Sequence, residues 1–238
     1  MQYRKMGASD LEVSVIGFGC WEIGGRYGSF DETEVIHAVH RALELGVTLF
    51  DTALAYGAGK SEELLGRALG SRRNEAIVVT KGALPTREGQ KEKRDARYAS
   101  ITQDIEDSLR ALKMDYVDLY LQHWPDPETP IEESMRALED IRKAGKARYV
   151  GVSNFHPHML VEAKQTAPIV TNQVGYNLFD RRWERLMFPT AEELGIGIMA
   201  YGPLAHGLLT GAFTPETTFV ESDWRARGVL FGQALFQG

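Results

Sequence analysis

VTLFD at residues 47–51, AIVVTK at 76–81, YVDLYLQH at 116–123 and YVGVSN at 149–154 are short apolar runs. Each ends on a polar side chain able to do chemistry: Asp51, Lys81, His123 and Asn154. Apolar runs of this length, rich in β-branched residues, read as strands buried on both faces. They alternate with stretches such as DETEVIHAVHRALELG (31–46), SITQDIEDSLRALKM (100–114) and IEESMRALEDIRKAGK (131–146), in which apolar residues recur three and four apart, the spacing of an amphipathic helix. Strand, helix and strand in succession imply parallel pairing, because a crossover has to carry the chain back. VIGFG (15–19), PIVTNQ (168–173) and GIGIMAY (195–201) extend the series to seven strands. The series predicts an α/β fold of the (β/α)8 TIM-barrel type, whose active sites lie at the C-terminal ends of the strands.

Outward from these runs, residues 3–15 read as two short strands around the turn GASD (7–10), a β-hairpin placed to close the bottom of the barrel. After Tyr201 no further apolar run is followed by a helix and a strand. A closed barrel of this type takes eight strands, so the expectation is one barrel domain over residues 1–238 that lacks its eighth βα unit. The 238 residues carry a net charge of -6 without a basic patch, which argues against nucleic acid as a partner. No apolar stretch approaches the roughly 20 residues that span a bilayer, and MQYRKMGASD (1–10) has no apolar signal core. A soluble cytoplasmic protein without a membrane partner is expected. The single cysteine, Cys20, has no disulfide partner in the chain and reads as a small buried apolar residue. His156 and His158 lack the Cys or carboxylate neighbours of a ligand set, so no metal site is expected. No G-x-G-x-x-G fingerprint supports a Rossmann domain.

The strand ends ring one pocket in such a fold, which brings Asp51, Lys81 and His123 together with Tyr56, five residues beyond Asp51. Asp, Tyr, Lys and His in one pocket suit proton transfer to a developing alkoxide. Asp51 would hold Lys81 charged, the ammonium would favour the Tyr56 phenolate, and His123 would hydrogen-bond the substrate oxygen. Tyr56 is the expected general acid. Each residue has an ordinary reading too: Asp51 as a helix cap, Lys81 as a surface cation, His123 and Tyr56 as packing residues. Trp21 and Trp124, just past two strand ends, read from the residues alone as core aromatics. Arg87, Arg94 and Arg97 lie in the polar stretch 82–100, where they read as solvated or as favouring an anionic substrate.

FDTALAYGAGKSEELLGRAL (50–69), VVTK (78–81), DYVDLYLQHWPDP (115–127), GKARYVGVSNF (145–155) and AYGPLAHGLLTG (200–211) together resemble the aldo-keto reductase family, and the likeness extends to DWR at 223–225. The resemblance implies a catalytic tetrad of Asp51, Tyr56, Lys81 and His123. It implies NADP(H) as the cofactor, a small aldehyde or ketone as substrate, and Tyr56 as the proton donor to the carbonyl oxygen. Ser153, Asn154 and Gln173 match contacts to the nicotinamide carboxamide, and Tyr201 the aromatic on which the ring stacks. Gly202, Pro203, Leu204, Gly207 and Leu208 match the segment that cradles the pyrophosphate, and Trp21 and Trp124 match pocket walls. The family's adenosine-phosphate-binding segment after the eighth strand has no counterpart in residues 1–238. Two alternatives remain open: a non-catalytic nicotinamide-binding regulatory subunit of the same fold, and an inactive truncated fragment.

Overall fold

The computed structural model describes residues 1–25, 29–86, 94–214, 216–221, 223–227, 229–230 and 233–234; Arg87 lies outside them. Tyr3–Lys5 (β1) and Glu12–Ser14 (β2) pair antiparallel, with Tyr3 opposite Ser14, as the hairpin reading expects. Seven strands then follow in one parallel sheet, in sequence order: Gly17–Gly19 (β3), Leu49–Asp51 (β4), Ile77–Gly82 (β5), Val117–Gln122 (β6), Ala147–Ser153 (β7), Thr171–Gly175 (β8) and Gly197–Tyr201 (β9). Among the described residues six α-helices alternate with them: Glu32–Glu44 (α1), Lys60–Leu69 (α2), Tyr98–Leu112 (α3), Ile131–Lys143 (α4), Pro157–Thr166 (α5) and Met187–Glu193 (α6).

Local signals account for several helix ends. Asp31 caps α1 by accepting a hydrogen bond from the Thr33 amide at 2.7 Å. Pro157 opens α5, where its missing N–H is no loss. Beyond α4 the chain turns at Gly145, whose φ of 77° suits a residue without a Cβ.

The parallel sheet curls, because side chains from β4, β5, β6 and β9 meet in a single inner cluster. Leu49, Val79, Leu119, Leu121 and Met199 form it, together with Val170 and the hairpin residues Met6, Leu11 and Val13. The opposite face of the sheet, with Phe50, Val78, Tyr120 and Val150, packs against the helices. Strand side chains alternate between faces. In β5, Val79 and Lys81 therefore point inward, whereas Val78 and Thr80 point toward the helices. Among the described residues β3 and β9 do not pair with each other, so the sheet holds the seven strands expected. The chain after β9 forms short 3-10 turns at Ala205–Thr210 and Trp224–Arg227 and an antiparallel pair of Val229–Leu230 with Gln233–Ala234. None of these joins the parallel sheet.

The hairpin is fastened by a reciprocal hydroxyl pair. Ser14 Oγ accepts from the Thr48 and Leu49 amides at 2.9 and 3.2 Å, and Thr48 Oγ1 accepts from the Ser14 amide at 3.0 Å. Replacing Ser14 by Ala leaves those two amides without their acceptor. The expected loss is about 1–3 kcal/mol of stability, the cost of an unsatisfied buried donor. Urea unfolding would show it as a lower midpoint at unchanged slope, and an unmoved midpoint would remove the fastening role.

Candidate active site at the strand ends

Lys81 is fully buried at the end of β5 and its ammonium uses all three of its hydrogens. It donates to Asp51 Oδ2 at 2.9 Å, to the Thr52 carbonyl at 2.8 Å and to Tyr56 Oη at 3.2 Å. The nitrogen also lies 4.9 Å from the centre of the Tyr56 ring. The staggered register assembles this set: Asp51 lies opposite Val79, so Lys81 stands two residues further along its strand and reaches back over the end of β4. The Tyr56 ring meets the His123 ring edge-on, with centroids 5.6 Å apart. Asp51, Lys81 and His123 from three strand ends and Tyr56 from the loop after β4 therefore meet in space.

Burial governs their proton affinities. It pulls the Lys81 ammonium down, but the Asp51 carboxylate and the Tyr56 hydroxyl more than offset this and hold it above its ordinary value. For Tyr56 the balance falls the other way. Burial pushes its hydroxyl up to about 12 against the opposing pull of Lys81. The ammonium was expected to favour the phenolate; desolvation instead keeps Tyr56 protonated at neutral pH, the state a proton donor needs. Burial, and then the Lys81 charge, hold His123 well below its ordinary 6.5, so the imidazole is neutral. Its Nδ1 is buried without a hydrogen bond, as is Asp51 Oδ1. Cys20 is also buried and its thiol is pushed up by desolvation, in line with an apolar role.

A second hydrogen-bonded set lies beside the first. Asn154 has a φ of 62°, a left-handed conformation that Asn tolerates better than most residues. Its amide N–H donates to the Gln173 carbonyl at 2.9 Å. Its side-chain nitrogen donates to the His123 carbonyl at 3.1 Å and to Ser153 Oγ at 2.9 Å. Ser153 Oγ in turn donates to the Gln173 carbonyl at 2.9 Å, so its hydroxyl is spent inside the set. The Tyr201 hydroxyl donates to Asn154 Oδ1 at 2.9 Å. The Tyr201 ring lies against Gly175, where a Cβ would come within 3.2 Å of it.

A cavity of about 810 Å³ opens here, lined in part by Trp124, Asn154, Tyr201, Gly202 and Leu208. Arg94 covers the Trp124 ring at 4.9 Å. Arg97 is ion-paired with Asp95 at 2.5 Å, away from the tetrad contacts. The loop after β9 is exposed at Pro203 and Leu204 and turns on left-handed residues at Gly202, Ala205, His206 and Gly207. Trp21 does not line the cavity; its ring packs on Trp224 at 5.8 Å and on His206 at 6.2 Å. Further cavity residues went unanticipated: His156, and Phe179, Asp180, Arg182 and Trp183 from the loop between β8 and α6. An apolar LF followed by DRRW in a polar loop was the available signal. The rings of His156 and His158 stack at 6.1 Å, and no group of three metal-ligating residues occurs among the described residues. Among the same residues no helix is long and apolar enough to cross a membrane.

The curled parallel sheet and a Lys-centred cluster at its strand ends are the arrangement of the (β/α) barrel class, whose active sites lie at that face. The Aldo/keto reductase family model matches residues 15–231, and the chain belongs to that family, whose members reduce carbonyl groups with a nicotinamide cofactor. It is 41% identical over 240 residues to aldo-keto reductase YhdN of Bacillus subtilis (strain 168), covering 100% of this chain and 72% of that protein. It is 32% identical over 247 residues to the NADH-specific methylglyoxal reductase of Escherichia coli (strain K12), covering 97% and 75%. The structure of the glycerol dehydrogenase AKR11B4 from Gluconobacter oxydans superposes with a TM-score of 0.82 at 39% identity, covering 94% of this chain and 70% of that one.

Gly175→Ala tests whether Tyr201 is the stacking aromatic that the family resemblance implies. The added methyl displaces the ring, and the dissociation constant for a reduced nicotinamide dinucleotide should rise about tenfold, equivalent to ~1.4 kcal/mol. Tryptophan fluorescence titration measures it; unchanged affinity would show that the ring position does not matter.

Proposed function

We propose that this chain carries the active site of a carbonyl reductase in which Tyr56 gives a proton to the oxygen of an aldehyde or ketone. The observation that carries the reading is the buried Lys81 ammonium, held at once by Asp51, by the Thr52 carbonyl and by the Tyr56 hydroxyl. A tyrosine that keeps its proton at neutral pH yet touches a fixed cation is a competent acid once negative charge develops on a neighbouring oxygen. Neutral His123, edge-on to Tyr56, supplies a second N–H to the same oxygen. Asp51 keeps Lys81 charged; it does not itself touch substrate in this reading.

The cavity beside Asn154 and Tyr201 fits a nicotinamide ring and its carboxamide. Asn154 and Gln173 would meet the carboxamide, Ser153 would orient Asn154, and Tyr201 would offer its face for stacking. Gly202 to Leu208, with Pro203 and Leu204 at its exposed turn, would bring backbone N–H groups to a pyrophosphate. When bound, the cofactor supplies the hydride. NADP(H) is the form the family resemblance favours, and NADH is the alternative, given the NADH-specific relative. Trp124 would wall the substrate side of the cavity, whereas Trp21 would act from the rim through the tail residue Trp224.

Tyr56→Phe is the decisive substitution. Turnover of a test aldehyde with NADPH or NADH should fall by about 10²–10⁴, the usual worth of a positioned general acid, while nucleotide affinity stays within twofold or so of the parent. An unaltered turnover would refute the proton-donor role. Titration with both nucleotides in parallel decides between them.

A further inference from the structure

Glu62 stands in the first turn of α2 and is completely buried. An acidic residue there usually faces water, where it complements the helix dipole. Here its Oε1 accepts from Thr80 Oγ1 at 2.6 Å, and its Oε2 is buried with no hydrogen bond. Thr80 immediately precedes Lys81 and points to the opposite face of β5. Glu62 therefore grips the back of the strand whose front carries the ammonium. Ser61, its neighbour, shares a 2.8 Å hydrogen bond with Thr52 Oγ1 and donates to the Cys20 carbonyl at 2.7 Å. Thr52 is the residue whose carbonyl receives Lys81. Two adjacent residues of α2 thus anchor both strand ends that seat Lys81.

We propose that Glu62 is a positioning residue for Lys81, and that gain or loss of its proton sets how strongly the ammonium acidifies Tyr56. This rests on the reductase reading above. The groups that act on Glu62 are Thr80 of β5 and, through the strand, the Lys81 charge, with Ser108 and Asp107 of α3. Burial pushes its carboxyl up to about 7, against the pull of Thr80, Ser108 and Lys81, with Asp107 adding to the push. Ser108 Oγ, like Glu62 Oε2, is buried without a completed hydrogen bond. Ionisation lets the Ser108 hydroxyl turn and donate to the carboxylate, the sense in which it opposes burial. In the anionic form a negative charge sits behind β5 and offsets part of the Lys81 field at Tyr56. Carbonyl reduction is therefore faster with Glu62 protonated, and a step near neutrality precedes any change due to Tyr56 itself. A half-unit change in the acidity of Tyr56 corresponds to about threefold in rate at most.

Glu62→Gln keeps the acceptor for Thr80 and cannot ionise. Its turnover number for aldehyde reduction should stay level across pH 6–8, where the parent falls by about threefold; superposable profiles would overturn the proposal. A second readout needs neither cofactor nor turnover. A carboxyl raised from 4.5 to about 7 on folding contributes stability that is fully present below the unfolded value and is lost as pH rises through about 7. The melting temperature of the parent should therefore fall relative to Glu62→Gln between pH 5 and pH 8. In the Lys81→Met background, without the ammonium, the same step should move to higher pH. A constant difference in the parent background, or a step that Lys81→Met leaves in place, would also overturn the proposal. If no carbonyl is turned over and Tyr56→Phe changes nothing, the reductase reading fails, while the melting series still decides whether Glu62 titrates and feels Lys81.

Discussion

The pairing of Lys81 with Asp51 is the constraint on which the site depends. An ammonium with no exposure to water is tolerable only where every hydrogen finds an acceptor and an opposite charge lies close. The fold meets both conditions by stagger. β5 runs further than β4, so a side chain at its end can bend back over Asp51 and Thr52. Removing one partner of such a buried pair typically costs about 3–5 kcal/mol. The protein thus keeps a buried ammonium whose neighbours more than offset the loss of water.

The two faces of each strand divide the labour. Inward positions at mid-barrel are apolar and meet the hairpin residues Met6, Leu11 and Val13, while inward positions at the top are polar and reactive. Outward positions are apolar against the helices, with exceptions such as Thr80 and Asn172, each met by a buried partner. Chemistry and packing are separated by one residue along the chain, so the ammonium can be desolvated without opening the core.

Much of the architecture was legible because its signals are local. The run that ends at Lys81, the period of three and four in α3, and the turn at Gly145 each carry their own physics within a few residues. Asp51, Lys81, His123 and Asn154 stood out because a polar group that closes an apolar run is seldom needed for packing. What was not legible depends on distance and on degree of burial. Glu62 and Glu63 look alike in the sequence; only the packing of α2 against β5 and α3 reveals that Glu62 is enclosed. The direction of the Tyr56 shift turned on how much water its ring loses, which no spacing encodes. Trp21 and Trp224 pack together although they lie at opposite ends of the chain, and neither neighbourhood announces the other.

The hairpin has a consequence for the order in which the molecule can be built. Its tip donates from the Ala8 amide to the Gly195 carbonyl, Asp10 bonds the Tyr149 hydroxyl, and Ser14 is fastened to Thr48. The hairpin therefore has one anchor near at hand in sequence and two that are synthesised only much later. Until β9 has emerged, Met6 lacks the Gly197 backbone that its sulfur packs on and the Met199 side chain that shares its cluster. Contacts this remote in sequence slow folding, and the wait leaves an apolar plug exposed on a nascent chain, the kind of surface that chaperones hold.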